Sequence, residues 1–278
     1  MTAIVLATTC AVVYGAADFF GGLATKRSQV YAVVVLSQAA GLAFIVALMP
    51  LLPGRSSPPA LLWGMLAGLA GGGGLIFFYR ALATGTMSVV APVTATVSAG
   101  LPVLFGLAAG ERPELMALAG IALAILAVLL VSRAPSATPA GGGVGPLLAS
   151  LISGAGFGGF FILLSHAPGD SGLWPLLGAR FASIALVAVL ALLTGRGLRP
   201  GKGSLGTILL AGVLDMAANV LYLLAVQRGL LSLVAVIVSL YPASTLVLAR
   251  HVLGERLNAV QITGVGFALG AVALIAAS

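Results

Sequence analysis

GERPELMALAG at 110–120 and GERLNAVQITG at 254–264 decide how this chain is built. The chain has only six acidic residues, and two of them stand in the same Gly-Glu-Arg tripeptide, 144 positions apart. The echo extends on both sides. Shifted by 144, residues 81–130 lie on 225–274 without a gap, pairing Ala81 with Ala225, Gly85 with Gly229, Ser88 with Ser232, Val90 with Val234 and Ala91 with Ala235. Val103 and Leu104 pair with Val247 and Leu248, and Gly120 with Gly264. Shared Ala and Leu content produces chance identities, but not an aligned Glu-Arg pair. Upstream the match loosens, with YGAADFF at 14–20 opposite SGAGFGG at 153–159. Internal duplication is the reading.

Composition says what is duplicated. Hydrophobic residues make up 60% of the chain and charged residues 7%, where a soluble domain carries about 25% charged residues. Ten apolar runs lie near 2–24, 30–51, 60–82, 86–109, 114–132, 145–165, 174–195, 204–226, 231–250 and 258–276. Each is near the length of a spanning helix. A helix satisfies its own backbone in lipid, and the alternation of a membrane barrel is missing. The longest polar break, SRAPSATPAGGGVGP at 132–146, reads as a linker. The predicted organisation is therefore an all-α integral membrane protein of ten transmembrane helices, with repeats at 1–132 and 145–278 and a linker at 133–144. Five is odd, so the second half inserts inverted relative to the first. Secondary transporters use that plan, holding the substrate near mid-membrane between the halves.

One half carries YRALATGTMSVVAPV at 79–93 and GERPELMALAGIALAILAVLLV at 110–131. YLLAVQRGLLSLVAVIV at 222–238 and GERLNAVQITGVGFALGAVALI at 254–275 stand in the other. In these the chain resembles EamA-type members of the drug/metabolite transporter superfamily. The resemblance implies a ten-helix transporter of the cell inner membrane, often an exporter of metabolites, amino acids or drugs. One departure stands out: Pro92 of the first half is matched by Val236, and Pro242 lies six residues later, so the second half is expected to bend elsewhere.

Charge inside a membrane is costly and normally faces a cavity or a partner. Asp215 sits midway along the eighth run, with Asn219 and Tyr222 at i+4 and i+7 on the same face. Those three are expected to line the central cavity or to tie helices together. Asp18, with Tyr14 one turn earlier in the first helix, is expected either opposite them in the cavity or at the interface, within reach of Lys26 or Arg27. Arg180 either snorkels to the nearer interface or partners an acid or an anionic substrate, and Gln38 is its rough counterpart in the first half. Tyr79, Tyr222 and Tyr241 offer hydroxyls and ring faces to a substrate, or anchor at the interface. Asp215 is also the candidate proton carrier, because a protonated carboxyl crosses lipid at lower cost than an ionised one. Gly64, Gly68 and Gly72 form a helix-packing stripe, repeated at Gly266 and Gly270. Glu111 and Glu255 read as turn and cap residues of the last helix in each half.

Other chemistries fail on their residues. GAGFGG at 154–159 lies in an apolar run with no preceding strand, so it is not a dinucleotide loop. GKGS at 201–204 lacks the spacing of a phosphate loop. Two histidines, His166 and His251, and the lone Cys10 make no metal set. No cofactor, metal or enzyme activity is expected. The net charge of +7 is spread over many connections, which points to topology and lipid headgroups rather than nucleic acid. The expected partners are a small-molecule substrate and the bilayer, with the chain a monomer or homodimer. The function that follows is secondary transport of a small organic solute by alternating access, with export and proton coupling. A solute channel or lipid scramblase is the alternative.

Orientation has two opposed indications. Lys26, Arg27, Arg80, Arg133, Arg196, Arg199, Lys202, Arg250 and Arg256 fall at one face, and Arg55, Arg112 and Arg228 at the other. The positive-inside rule places the richer face in the cytoplasm and both termini outside. The family resemblance implies both termini inside.

Overall fold

A computed structural model describes residues 1–25, 27–84, 87–131, 144–195, 197–253 and 258–277. At 79–80, 82–84, 87–92, 131, 144, 146 and 253 only the backbone is described. All regular structure among these residues is helical. The helices are α1 (Thr2–Thr25), α2 (Val30–Leu48), α3 (Pro58–Thr84), α4 (Met87–Ala108), α5 (Leu115–Val131) and α6 (Val144–Ser165). They continue with α7 (Trp174–Leu193), α8 (Leu205–Val226), α9 (Leu231–Val238), α10 (Tyr241–Leu253) and α11 (Ala259–Ala277). Among the described residues eight stretches are long and apolar enough to cross a membrane, and Val93–Ala108 and Leu115–Leu130 are shorter apolar helices. The chain is a multi-pass membrane protein.

The ninth predicted run splits into α9 and α10 at Ser239–Leu240. Pro242 is the cause: it has no N–H and its ring crowds the preceding turn. The chain tightens there, with the Leu240 N–H bonded to Ile237 O at 3.1 Å and Ala243 N–H to Leu240 O at 2.9 Å. In the first half α4 runs unbroken through Pro92. The departure at Val236 therefore marks a real difference between the halves.

Packing follows a swapping pattern. α1 lies on α8 as α6 lies on α3, and α2 lies on α8 as α7 lies on α3. α4 packs on α6 as α9 and α10 pack on α1, while α5 pairs with α11 and α2 with α7. Small residues make these approaches possible. A Cβ on Gly68 would fall on the backbone carbonyl of Ala179, and one on Gly64 on that of Pro175. On α11 the predicted stripe is used less, since Gly266 faces open space and Gly270 meets only a leucine side chain at 3.3 Å. Gly68→Val should force α3 from α7 and cost about 1–3 kcal/mol, the usual penalty of overpacking. Thermal unfolding in detergent reads this as a lowered midpoint, with Gly266→Val as the near-neutral control.

Candidate functional site

The face of the bundle that carries Met1 is called the terminal face below. On α1, Val5, Thr9 and Val12 are exposed along one stripe, the lipid side. The inward stripe, Ala3, Ala7, Cys10, Ala11 and Gly15, is buried. Asp18 and Gly22 continue that inward stripe, yet both are exposed. The inward stripe is thus sealed from the terminal face to about Gly15; beyond it Asp18 and Gly22 are accessible, while Phe19 and Ala24 stay buried. α9 explains the closure: Val234 to Val238 are sealed in the terminal half of the bundle, whereas α10 beyond the break is half-exposed along Tyr241–Leu246.

On the inward side of the bundle four helices contribute one polar network. Arg180 on α7 forms an ion pair with Asp215 on α8 and donates from Nη1 to Gln38 Oε1 on α2 at 2.9 Å. Ser183, one turn from Arg180, donates to the same Gln38 oxygen at 2.6 Å. Asn219 donates through Nδ2 to Asp215 O at 2.7 Å and accepts from the Tyr14 hydroxyl of α1 at 2.9 Å. The side chain of Arg180 is 11% exposed and that of Asp215 40%. The guanidinium is therefore buried with its partners while the carboxylate keeps an open side. Small residues set the register: a Cβ on Gly212 would fall on the Ser37 carbonyl, so α2 crosses α8 closely beside Gln38.

Asp18 stands within electrostatic range of Asp215, and Tyr241 within that of Asp18. The Tyr14 and Tyr241 rings lie 6.4 Å apart, tilted by 56°. Hydroxyls of α10 hold this corner: Ser244 donates to Ala11 O and Thr245 to Gly15 O, each at 3.0 Å. Gly15 leaves them room, since a Cβ there would strike Ser244. Among the described residues Asp18 has no ion pair. Asp18 is thus a second carboxylate near the Arg180–Asp215 pair, and among the described residues only Asp215 is tied to the guanidinium.

Of the residues expected from sequence, Asp215, Asn219, Tyr14, Arg180 and Gln38 join one network, with Asp18 and Tyr241 beside it. Arg180 does not snorkel; it is the acid's buried partner. Gln38, its counterpart by repeat, touches it directly. Tyr222 does not join: it lies nearer the terminal face, is fully buried, and donates to Phe161 O at 2.8 Å, while its ring lies against that of Phe161 with centroids 4.5 Å apart and planes tilted by 38°. The Tyr79 side chain lies outside the described residues. Ser183 was missed, although its i+3 spacing from Arg180 places it on the same helix face. No group of metal-ligating side chains occurs among the described residues.

Known proteins agree with the architecture. A solved crystal structure of a protein aligns over 98% of this chain and 95% of its own, with a TM-score of 0.80 and 18% identity, which is a likeness of fold. No curated protein sequence matches the chain. The profile of the EamA-like transporter family matches residues 1–133 and again 144–277. Two matched stretches that together span nearly the whole chain place this protein in the EamA-like transporter family.

Proposed function

We propose that this protein is a secondary transporter of the inner membrane, built from two inverted five-helix halves that together cross ten times. It moves a small organic solute with a cationic group by alternating access. The exposed Asp18 on the inward face of α1, beside the compensated Asp215–Arg180 pair, carries this reading. A carboxylate near the Tyr14–Tyr241 ring pair suits an ammonium group, which carboxylates and ring faces both attract. Swapped helix pairing supports the inverted halves, as do the connections. At one face Gly201 N–H bonds Ser28 Oγ at 2.9 Å, joining the turn after α1 to that after α7. At the other, Arg55 N–H bonds Asp170 O at 2.9 Å, joining the turn after α2 to that after α6. An inward stripe sealed near the terminal face, with Asp18 and Gly22 accessible beyond it, suits one state of such a cycle.

Proton coupling is part of the proposal, with a shift of carrier. Protonating Asp215 would strand the buried Arg180 guanidinium without its counter-charge, which is costly. Asp18, lacking that tie, is the better supported carrier. Export rather than uptake rests on family resemblance. A thermal-shift panel of purified protein tests the substrate class. Monoamines and amino acids should raise the unfolding temperature, and sugars, nucleosides and dicarboxylates should leave it unchanged. Stabilisation confined to the dicarboxylates would contradict the assignment.

A further inference from the structure

Glu111 is not the cap of its own half. α5 starts at Leu115, beyond reach of its first turn. The end of α4 turns the residue elsewhere. Gly110 adopts φ +96°, its N–H bonds Leu107 O at 3.1 Å, and the Glu111 N–H bonds Gly106 O at 2.9 Å. These two bonds are a glycine-based helix stop, and they fold Glu111 back over α4. Gly106 leaves the space, because a Cβ there would meet the Glu111 carboxylate. The carboxylate then reaches 120 residues along the chain. Oε1 accepts from Leu231 N–H at 2.7 Å and Oε2 from Ser232 N–H at 3.0 Å. Those are the first two residues of α9, whose own cap position, Leu230, offers no side-chain bond. Both oxygens of one charge thus serve two donors at the positive end of a helix dipole.

α9 is also the element that seals the terminal half of the interior. We infer that Glu111 is a positioning residue of the transport cycle: its carboxylate clasps α9 from the other half and holds the terminal face shut. Opening that face requires α9 to leave its place against α1 and α4. The clasp must therefore release, or its loss must favour the opened state. This rests on the alternating-access reading, but its test needs no substrate.

Cys10 supplies the native reporter. It is the single cysteine, lies on the sealed inward stripe of α1, is fully buried, and donates its Sγ–H to Ala218 O at 3.0 Å. Gly22 reports the other end: it is exposed beyond the sealed stripe and a Cβ there meets nothing within 4 Å. The experiment measures N-ethylmaleimide labelling of Cys10 in proteoliposomes, and of Gly22→Cys in a Cys10→Ala background, each with Glu111 intact, Glu111→Gln or Glu111→Ala. Expected is about tenfold faster labelling at Cys10 with either substitution, and slower labelling at position 22, because opening one face closes the other. Glu114→Ala, an exposed acid in the same connection, should change neither. Unchanged rates at both positions would overturn the inference. Faster labelling at both would overturn it too, since that reports a loosened fold rather than a shifted one. Absence of transport alongside reciprocal labelling would count against the transport reading and leave the clasp standing.

Discussion

Arg180→Met should destabilise the protein by about 3 kcal/mol and abolish transport. Breaking a buried ion pair by removing one member costs roughly 3–5 kcal/mol, because the remaining charge is left uncompensated. Here the survivor, Asp215, is 40% exposed at its side chain, so part of its hydration is retained and the lower end applies. Gln38 would also lose its donor from Arg180, keeping only the Ser183 hydroxyl at 2.6 Å. The double variant Arg180→Met/Asp215→Leu separates the effects. With both charges gone, apparent stability in detergent should return to within about 1 kcal/mol of the parent, as apolar replacements of buried pairs commonly do. Transport should stay absent, because the open side of Asp215 is part of the proposed site. A single variant unfolding within half a kcal/mol of the parent, on the scale of ordinary surface changes, would mean the pair is not the anchor described.

Asp18→Asn should do the reverse: little harm to the fold and a large loss of function. Asp18 is exposed and unpaired among the described residues, so the substitution should move stability by less than about 0.5 kcal/mol. For a cationic solute the carboxylate is the counter-charge, and a charge-assisted bond is worth about 1.5–3 kcal/mol. That corresponds to roughly 10–100-fold weaker binding of an amine, read by isothermal titration on purified protein. On the proposed function Arg180 sets the structure of the site and Asp18 its selectivity, and the two variants test that contrast. If the asparagine variant bound the amine as tightly as the parent, Asp18 would not be the recognition group.

Much of this was legible in the sequence because lipid removes choices. Backbone groups without water must close into helices, so apolar runs translate into spans. Aligned Gly-Glu-Arg copies carried the reading of an internal duplication, and helical spacing put Asn219 beside Asp215. Proline chemistry anticipated a bend in the second half, and Pro242 gave its place. Partners distant in sequence were not legible. Gln38 and Arg180 lie 142 residues apart, and Tyr14 and Asn219 lie 205 apart. Their meeting depends on how helices cross, which the Gly212–Ser37 and Gly15–Ser244 approaches set in three dimensions. Tyr222 shows the limit of a helical wheel: it shares an angular face with Asp215 but stands further along, where the bundle is sealed. Glu111 shows another. An acid beside a turn signals a cap, yet its own residues do not reveal which helix it caps, and Glu255 lies outside the described residues.

On the proposed function a cationic solute crosses past Asp18 by a saturable, one-site-at-a-time exchange. Counterflow tests it most directly. Proteoliposomes loaded with an unlabelled amine that binds the protein are diluted into trace labelled amine, and accumulation is followed for the parent and Asp18→Asn. Transient accumulation that saturates with concentration in the parent, and is lost in the variant, is the predicted result. Linear, non-saturating flux without overshoot, equal in both proteins, would contradict it.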